Sequence, residues 1–166
     1  MRLGNIPMQS KATGCVTLAG NPRVAEILAR VCDLTGMGFA AVAQVTEQTW
    51  TACHVLDQIE FGLDPGDELD LKTTICNEIR EHGQPVVIDS VSGDAYWRTH
   101  PTPILYGFES YISLPITLSD GRFFGTLCAI DPGPAKIDMP ELIATIRGFA
   151  AEIAAILDAP SRDSLG

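Results

Sequence analysis

The stretch Glu109 to Pro132, ESYISLPITLSDGRFFGTLCAIDP, writes a two-stranded hairpin into the chain with very few charges. Ile112, Leu114, Ile116 and Leu118 alternate with Tyr111, Ser113, Pro115 and Thr117, the two-residue period of a strand. Ser119-Asp120-Gly121-Arg122 follows, where Asp and Gly supply the backbone conformations of a tight reversal. The return strand, Phe123 to Ile130, is apolar on both of its faces. A strand without a polar face must be covered on both sides, which predicts the centre of an antiparallel sheet with helices on one face and a different layer on the other. Function is to be sought in that second layer.

The rest of the chain supplies the partners of this hairpin. Asn21-Pro22 predicts a helix start, Asn as cap and Pro at the first helical position. Val24, Ile27, Leu28 and Val31 follow at helical spacing, and Gly36 closes the helix. Gly38–Thr46 and Trp50–Leu56 predict a first hairpin around Glu47-Gln48-Thr49. Residues 62–71 form an acidic loop, a short helix runs from about Thr74 to His82, and Pro85–Ile88 is a brief strand. Ser90–Tyr106 is irregular, with two prolines and several aromatic rings. After Asp131-Pro-Gly-Pro, Asp138 and Glu141 suggest a capping box for the last helix. There Leu142, Ile146, Phe149, Ile153 and Ile156 repeat at steps of four and three, a heptad seam that predicts a homodimer through the first and last helices.

At 166 residues the chain holds one compact domain. It is read as a flexible leader at 1–20, a domain at 21–158, and a flexible tail at 159–166. The tail is either a terminus or the point where a longer protein continues. Eleven Lys and Arg stand against 21 Asp and Glu, giving a net charge of −10. With no basic cluster, nucleic acid and anionic membranes are excluded as partners. No run reaches the ~18 apolar residues of a membrane span. The start has no apolar core of the signal-peptide kind. Cys15, Cys32, Cys53, Cys76 and Cys128 are odd in number, scattered and free of CxxC pairs, which disfavours a disulfide framework or a zinc site and favours a reducing cytoplasm.

The run SYISLPI, then DG, then FFGTLCAIDP resembles the terminal strands of a GAF domain, the small-molecule sensor module of bacterial histidine kinases, cyclic-dinucleotide enzymes and photoreceptors. KTTICNEI (Lys72–Ile79), GQPVVID (Gly83–Asp89) and HPTPILYGF (His100–Phe108) are similar in order and spacing to the GAF subset attached to sensor kinases. The resemblance spans Asn21 to Leu157. It implies an α+β fold: five or six antiparallel strands, the N- and C-terminal helices on one face, and lid loops with short helices on the other. It further implies a non-catalytic input domain of two-component signalling, whose last helix passes a ligand signal to a kinase or cyclase output domain.

Chemistry-bearing residues are sparse. His54, His82 and His100 stand in no catalytic or metal-ligating motif, so a structural or solvent role is expected for each; haem finds no positive sign of an axial ligand among them. Cys76 falls in a helix first turn, where a thiolate is favoured. In the GAF relatives that bind linear tetrapyrroles, a cysteine near that point can serve as a second attachment site. The primary attachment site would fall in Tyr96–Tyr106, which has no cysteine. Cys76 is therefore read as structural and no covalent cofactor is expected, with a bilin photosensor as the alternative function. A second alternative, a cysteine-based methionine-sulfoxide reductase, would need Cys53, Cys76 and Cys128 to approach one another, although they stand outside that family's motifs. The Asn-Lys-Phe-Asp-Glu constellation of cyclic-nucleotide binding is absent. The candidate pocket comprises Cys76, Tyr96, Trp97, His100, Tyr106, Phe108, Tyr111, Ser113 and Cys128, grouped on and beside the aromatic loop that would close over a ligand.

Overall fold

The computed structural model describes residues 13–70 and 74–159. Helices are α1 (Thr13–Leu18), α2 (Pro22–Thr35), α3 (Cys76–His82), α4 (Pro101–Tyr106) and α5 (Pro140–Asp158). Strands are β1 (Phe39–Val45), β2 (Thr49–Asp57), β3 (Glu68–Asp70), β4 (Val86–Ile88), β5 (Ser110–Thr117) and β6 (Phe123–Asp131). They form one antiparallel sheet in the order β3-β2-β1-β6-β5-β4. The expected hairpin is β5–β6, and β6 is central because its other edge pairs with β1, Phe39 against Ile130 through Gln44 against Gly125. A side chain at Gly125 is impossible: a Cβ there would stand 1.9 Å from the carbonyl oxygen of Ala43.

Two apolar cores lie on the two faces of this sheet. On one, Val24, Ile27 and Val31 of α2 and Leu142, Ile146 and Ile153 of α5 bury against Ala40, Val42, Ile112, Leu114, Ile116 and Leu127. Asn21 caps α2 by accepting the amides of Arg23 and Val24, and Gly36 closes it in the left-handed region, as the sequence predicts. The Arg23 guanidinium bridges α2 to Glu152 of α5, with Nη2 2.9 Å from Oε1. On the other face, Ile75 at the N-cap of α3 and Cys76 and Ile79 within it, with Val91 and Phe108, cover Phe39, Ala41, Ala43, Tyr111 and Cys128.

Four expectations need correction. Part of the supposed leader is ordered: α1 buries Leu18 completely, and Cys15 is disulfide-bonded to Cys53 of β2. Six helical residues give no readable periodicity, and their anchor is a cysteine 38 positions away. The same bond overturns the expectation that the cysteines stay unpaired, leaving Cys32, Cys76 and Cys128 as buried thiols. The acidic loop contains β3, an edge strand pairing Glu68–Asp70 with Thr49–Thr51; three residues are too few to show an alternation. Met139, not Asp138, caps α5, without a side-chain bond. The Asp138 amide instead donates to Asp89 Oδ1 at 2.9 Å. Expectations for residues 1–12 and 160–166 lie outside the described residues.

Candidate functional site

The lid-side core is not completely filled. Beneath α3, α4 and the loop after β2 lies a cavity of about 50 Å³. Its floor is the sheet: Phe39 from β1, Trp50 from β2, Tyr111 from β5, and Cys128 and Ile130 from β6. Pairing register explains the grouping, because Phe39 stands opposite Ile130, Tyr111 opposite Ile130, and Ser113 opposite Cys128, so these side chains share one face. Its roof is Thr74, Ile75 and Cys76 at the start of α3, Thr102 and Tyr106 of α4, and Phe108. Phe61, Leu63 and Leu69 close the remaining side.

An outer vestibule of about 410 Å³ shares Phe61, Leu63, Tyr106, Phe108 and Ile130 with the cavity and adds Glu60 and Asp131 at its rim. The rings of Phe61 and Tyr106, 6.4 Å apart, stand between the two spaces. Phe61 is placed by Asp57, whose carboxylate accepts the amides of Ile59, Phe61 and Gly62 at 2.9–3.2 Å. Partial burial raises the Asp57 pKa, but the amides of Gly62, Phe61, Ile59 and Glu60 outweigh it and hold the carboxyl below its ordinary value of 3.8. Glu60, inside this loop, adopts a left-handed φ of 57°, uncommon for a residue with a side chain.

Where the roof meets the floor is a cluster of neutral polar groups. Cys76 Sγ lies 3.2 Å from Thr126 Oγ1 and 3.7 Å from the Tyr111 hydroxyl. Burial pushes the Cys76 thiol up, against the opposing effect of its contacts with the Thr126 and Tyr111 hydroxyls. The helix start does not make Cys76 a thiolate, because desolvation disfavours the charged form more than the dipole favours it. Burial also raises Tyr111 and Cys128 well above their ordinary values. Ser113 Oγ, fully buried beside Cys76 and Tyr111, has no hydrogen bond of acceptable geometry; proximity alone does not satisfy it. Cys76, Cys128 and Tyr111 are therefore all neutral at neutral pH.

Of the nine candidate residues, Cys76, Tyr106, Phe108, Tyr111 and Cys128 line the cavity; Ser113 does not line it but stands opposite Cys128 on the same face of the sheet. Tyr96, Trp97 and His100 form a separate cluster beside the cavity, with ring centroids 4.7–5.6 Å apart. His100 reaches Glu78 of α3 at 2.8 Å, and the Tyr96 hydroxyl donates to the same side chain at 3.4 Å. Tyr96 and His100 hold the lid to α3, Trp97 packs against the lid-side core, and none of the three lines the cavity. Missed by the sequence reading were Phe39, Trp50, Phe61, Leu63, Leu69, Thr74, Ile75, Thr102 and Ile130. The alternation Thr126, Cys128, Ile130 carries the signal for Ile130; Phe61 and Leu63 carry none.

His54, on the helix face, and the exposed His82, which accepts the Gln84 amide, are both remote from the cavity. Cys53 lies in the helix-side core and Cys76 and Cys128 in the lid-side core, so the sheet separates them and the three do not converge. Among the described residues no group of three or more His, Cys, Asp or Glu is placed to hold a metal. None of their helices is long and apolar enough to cross a membrane.

The family model of the GAF domain matches residues 22–157. The chain belongs to the GAF domain family. Its fold is similar to the blue-light absorbing form of the Thermosynechococcus elongatus PixJ GAF domain (TM-score 0.65, 11% identity, 95% of this chain and 89% of that one). It is also similar to the type II free methionine-R-sulfoxide reductase of Thermoplasma acidophilum (0.61, 12%, 81% and 89%) and to the GAF-B domain of DevS from Mycobacterium smegmatis (0.57, 18%, 79% and 87%). No curated protein matches the chain. At such identities the GAF fold is shared, and the chemistry must be argued from this chain's own site.

Proposed function

We propose that this GAF domain is a non-catalytic sensory module that seats a small molecule in the lid-side cavity and transmits its presence through α5. The observation that carries this reading is an unfilled, aromatic-walled cavity whose walls, among the described residues, hold no ionisable side chain but the thiols of Cys76 and Cys128 and the phenols of Tyr106 and Tyr111. Two contacts support transmission to α5. Asp89, which follows β4 at the start of the lid segment, accepts the amides of Ile137 and Asp138 at 2.9 Å, just before α5. At the other end, Asp158 accepts the Ser119 amide at 3.0 Å, tying the last turn of α5 to the β5–β6 reversal.

In this reading α5 feeds an output domain, a histidine kinase or cyclase in a longer chain, within a homodimer through α2 and α5. Leu142, Ile146 and Ile153 belong to the chain's own core, so the dimer surface falls to the partly buried Ile143, Phe149, Ile156 and Leu157. A bilin photosensor is less well supported: pockets for drug-sized ligands measure roughly 300–1,000 Å³, whereas this cavity offers about 50 Å³. The reductase reading loses the convergence of its three cysteines.

Benzene, an uncharged apolar probe, tests the proposal by hydrogen exchange. Slower exchange across residues 90–106 and in α5 is expected. No change at either place overturns the binding role, and a change confined to 90–106 overturns the signalling route.

A further inference from the structure

Ser113 Oγ is fully buried and unsatisfied in a core whose other lid-face hydroxyls are paired. Burying an unpaired hydroxyl is unfavourable, and such a group in a native core calls for a reason. Its surroundings supply one. Cys128, opposite Ser113 in the β5–β6 ladder, and Tyr111, two residues before it on the same face, both form cavity wall, and Cys76 lies over it. A hydrogen-bonding atom placed between those three side chains would meet Ser113 Oγ.

The wall restricts the rest of the ligand. Among the described residues that line the cavity there is no Asp, Glu, Lys, Arg or His. A carboxylate, an ammonium or a zwitterion entering it would be desolvated without a counter-charge, which is strongly unfavourable. An anion also meets Glu60 and Asp131 at the vestibule rim and a chain of net charge −10. Aromatic rings, by contrast, surround the space: Phe39 and Phe61 at 5.0 Å, Phe61 and Tyr106 at 6.4 Å, Phe108 stacked on Tyr111 at 5.3 Å, with Trp50 beside them. Such walls offer edges and faces to another flat ring.

We infer that the ligand is an uncharged, compact, monocyclic aromatic molecule with one hydroxyl or comparable hydrogen-bonding group, its ring among the cavity's aromatic side chains and its polar group on Ser113. This rests on the lid-side cavity being the sensory site. The ligand enters from the vestibule between Phe61 and Tyr106, whose displacement joins the two spaces and enlarges a cavity too tight for a ring with both side chains closed.

The chain has two tryptophans, so Trp97→Phe leaves Trp50 in the cavity wall as the only indole reporter. Titrating this variant with phenol is expected to change Trp50 fluorescence. Benzene should bind about tenfold more weakly, the factor one ordinary hydrogen bond supplies. Benzoate, L-methionine sulfoxide and biliverdin should bind at least a hundredfold more weakly than phenol. Adding Ser113→Ala should bring phenol down to the affinity of benzene, leave benzene unchanged, and raise the thermal midpoint of the free protein by removing the orphaned hydroxyl.

Equal affinity for phenol and benzene, or a phenol affinity unmoved by Ser113→Ala in a variant whose midpoint shows it folded, overturns the role of Ser113. Benzoate, methionine sulfoxide or biliverdin binding as tightly as phenol overturns the ligand class while leaving the lid-side site standing. Silence of Trp50 toward every probe overturns both.

Discussion

His100 donates from Nε2 to the Glu78 carboxylate across 2.8 Å, while its Nδ1 accepts the Thr102 amide at 3.2 Å. One imidazole therefore caps α4 and ties it to α3, the two helices that roof the cavity. The cap needs a lone pair on Nδ1, which assigns the proton of the neutral ring to Nε2.

Separating the two contacts is straightforward. His100→Ala removes both and should lower stability by about 1–2 kcal/mol, the sum expected for a cap and a partly exposed hydrogen bond. His100→Asn restores a capping side chain without reaching Glu78, so it should recover part of that loss and still exchange its amides faster across residues 96–106. Wild-type exchange rates there in His100→Ala would show that the lid does not depend on this contact.

His54 governs the mildly acidic range. Desolvation lowers its pKa from 6.5, partly opposed by its bond with the Asn21 backbone. A histidine with a depressed folded pKa takes up its proton more readily when unfolded. Its stabilisation is complete above 6.5 and is lost as pH falls toward the folded value. Asp57, Glu109, Asp120 and Glu152, all held below ordinary carboxylate values, titrate at lower pH and leave this window clear. His54→Gln should flatten the dependence of the thermal midpoint on pH between about 7 and 5. An unchanged slope would move the effect to another group.

The cysteines divide into a bonded pair and three sheltered thiols. Unfolded without reductant, the chain should show three reactive thiols, and five after reduction. Opening a bond that spans 38 residues should lower stability by about 4 kcal/mol in the chain-entropy description. Five thiols without reductant would mean that α1 is held by the burial of Leu18 alone.

In the native state Cys32, Cys76 and Cys128 should label slowly. All are buried, and burial with the charges of Asp33 and Asp131 pushes Cys32 up to about 11. Cys76→Ala should be less stable by roughly 1 kcal/mol. Rapid labelling of Cys76, or a bilin mapped to it after co-expression with a chromophore source, would return the photosensor reading.

The elements legible in the sequence are those whose signal is local. The α2 helix announces itself by Asn21, Pro22, Gly36 and an apolar stripe, and β5–β6 by alternation around Asp120-Gly121. The candidate pocket was half legible for the same reason: Tyr111, Ser113 and Cys128 alternate onto one face, and Cys76 sits in an apolar helix start. Tyr96, Trp97 and His100 share composition and neighbourhood with pocket residues but do not line the cavity, a placement that aromatic content does not encode.

What the sequence by itself determined was a sheet covered on both faces, with helices on one side and an aromatic lid on the other, because periodicity of two and of 3.6 reports which side chains must leave water. Only the tertiary structure decided where the lid-side packing fails to close. That depended on Phe39 of β1 meeting Ile130 of β6, on Phe61 meeting Tyr106, and on Cys76 of α3 meeting Thr126 of β6. Each joins segments far apart in the chain, and a cavity is a property of the distances between them.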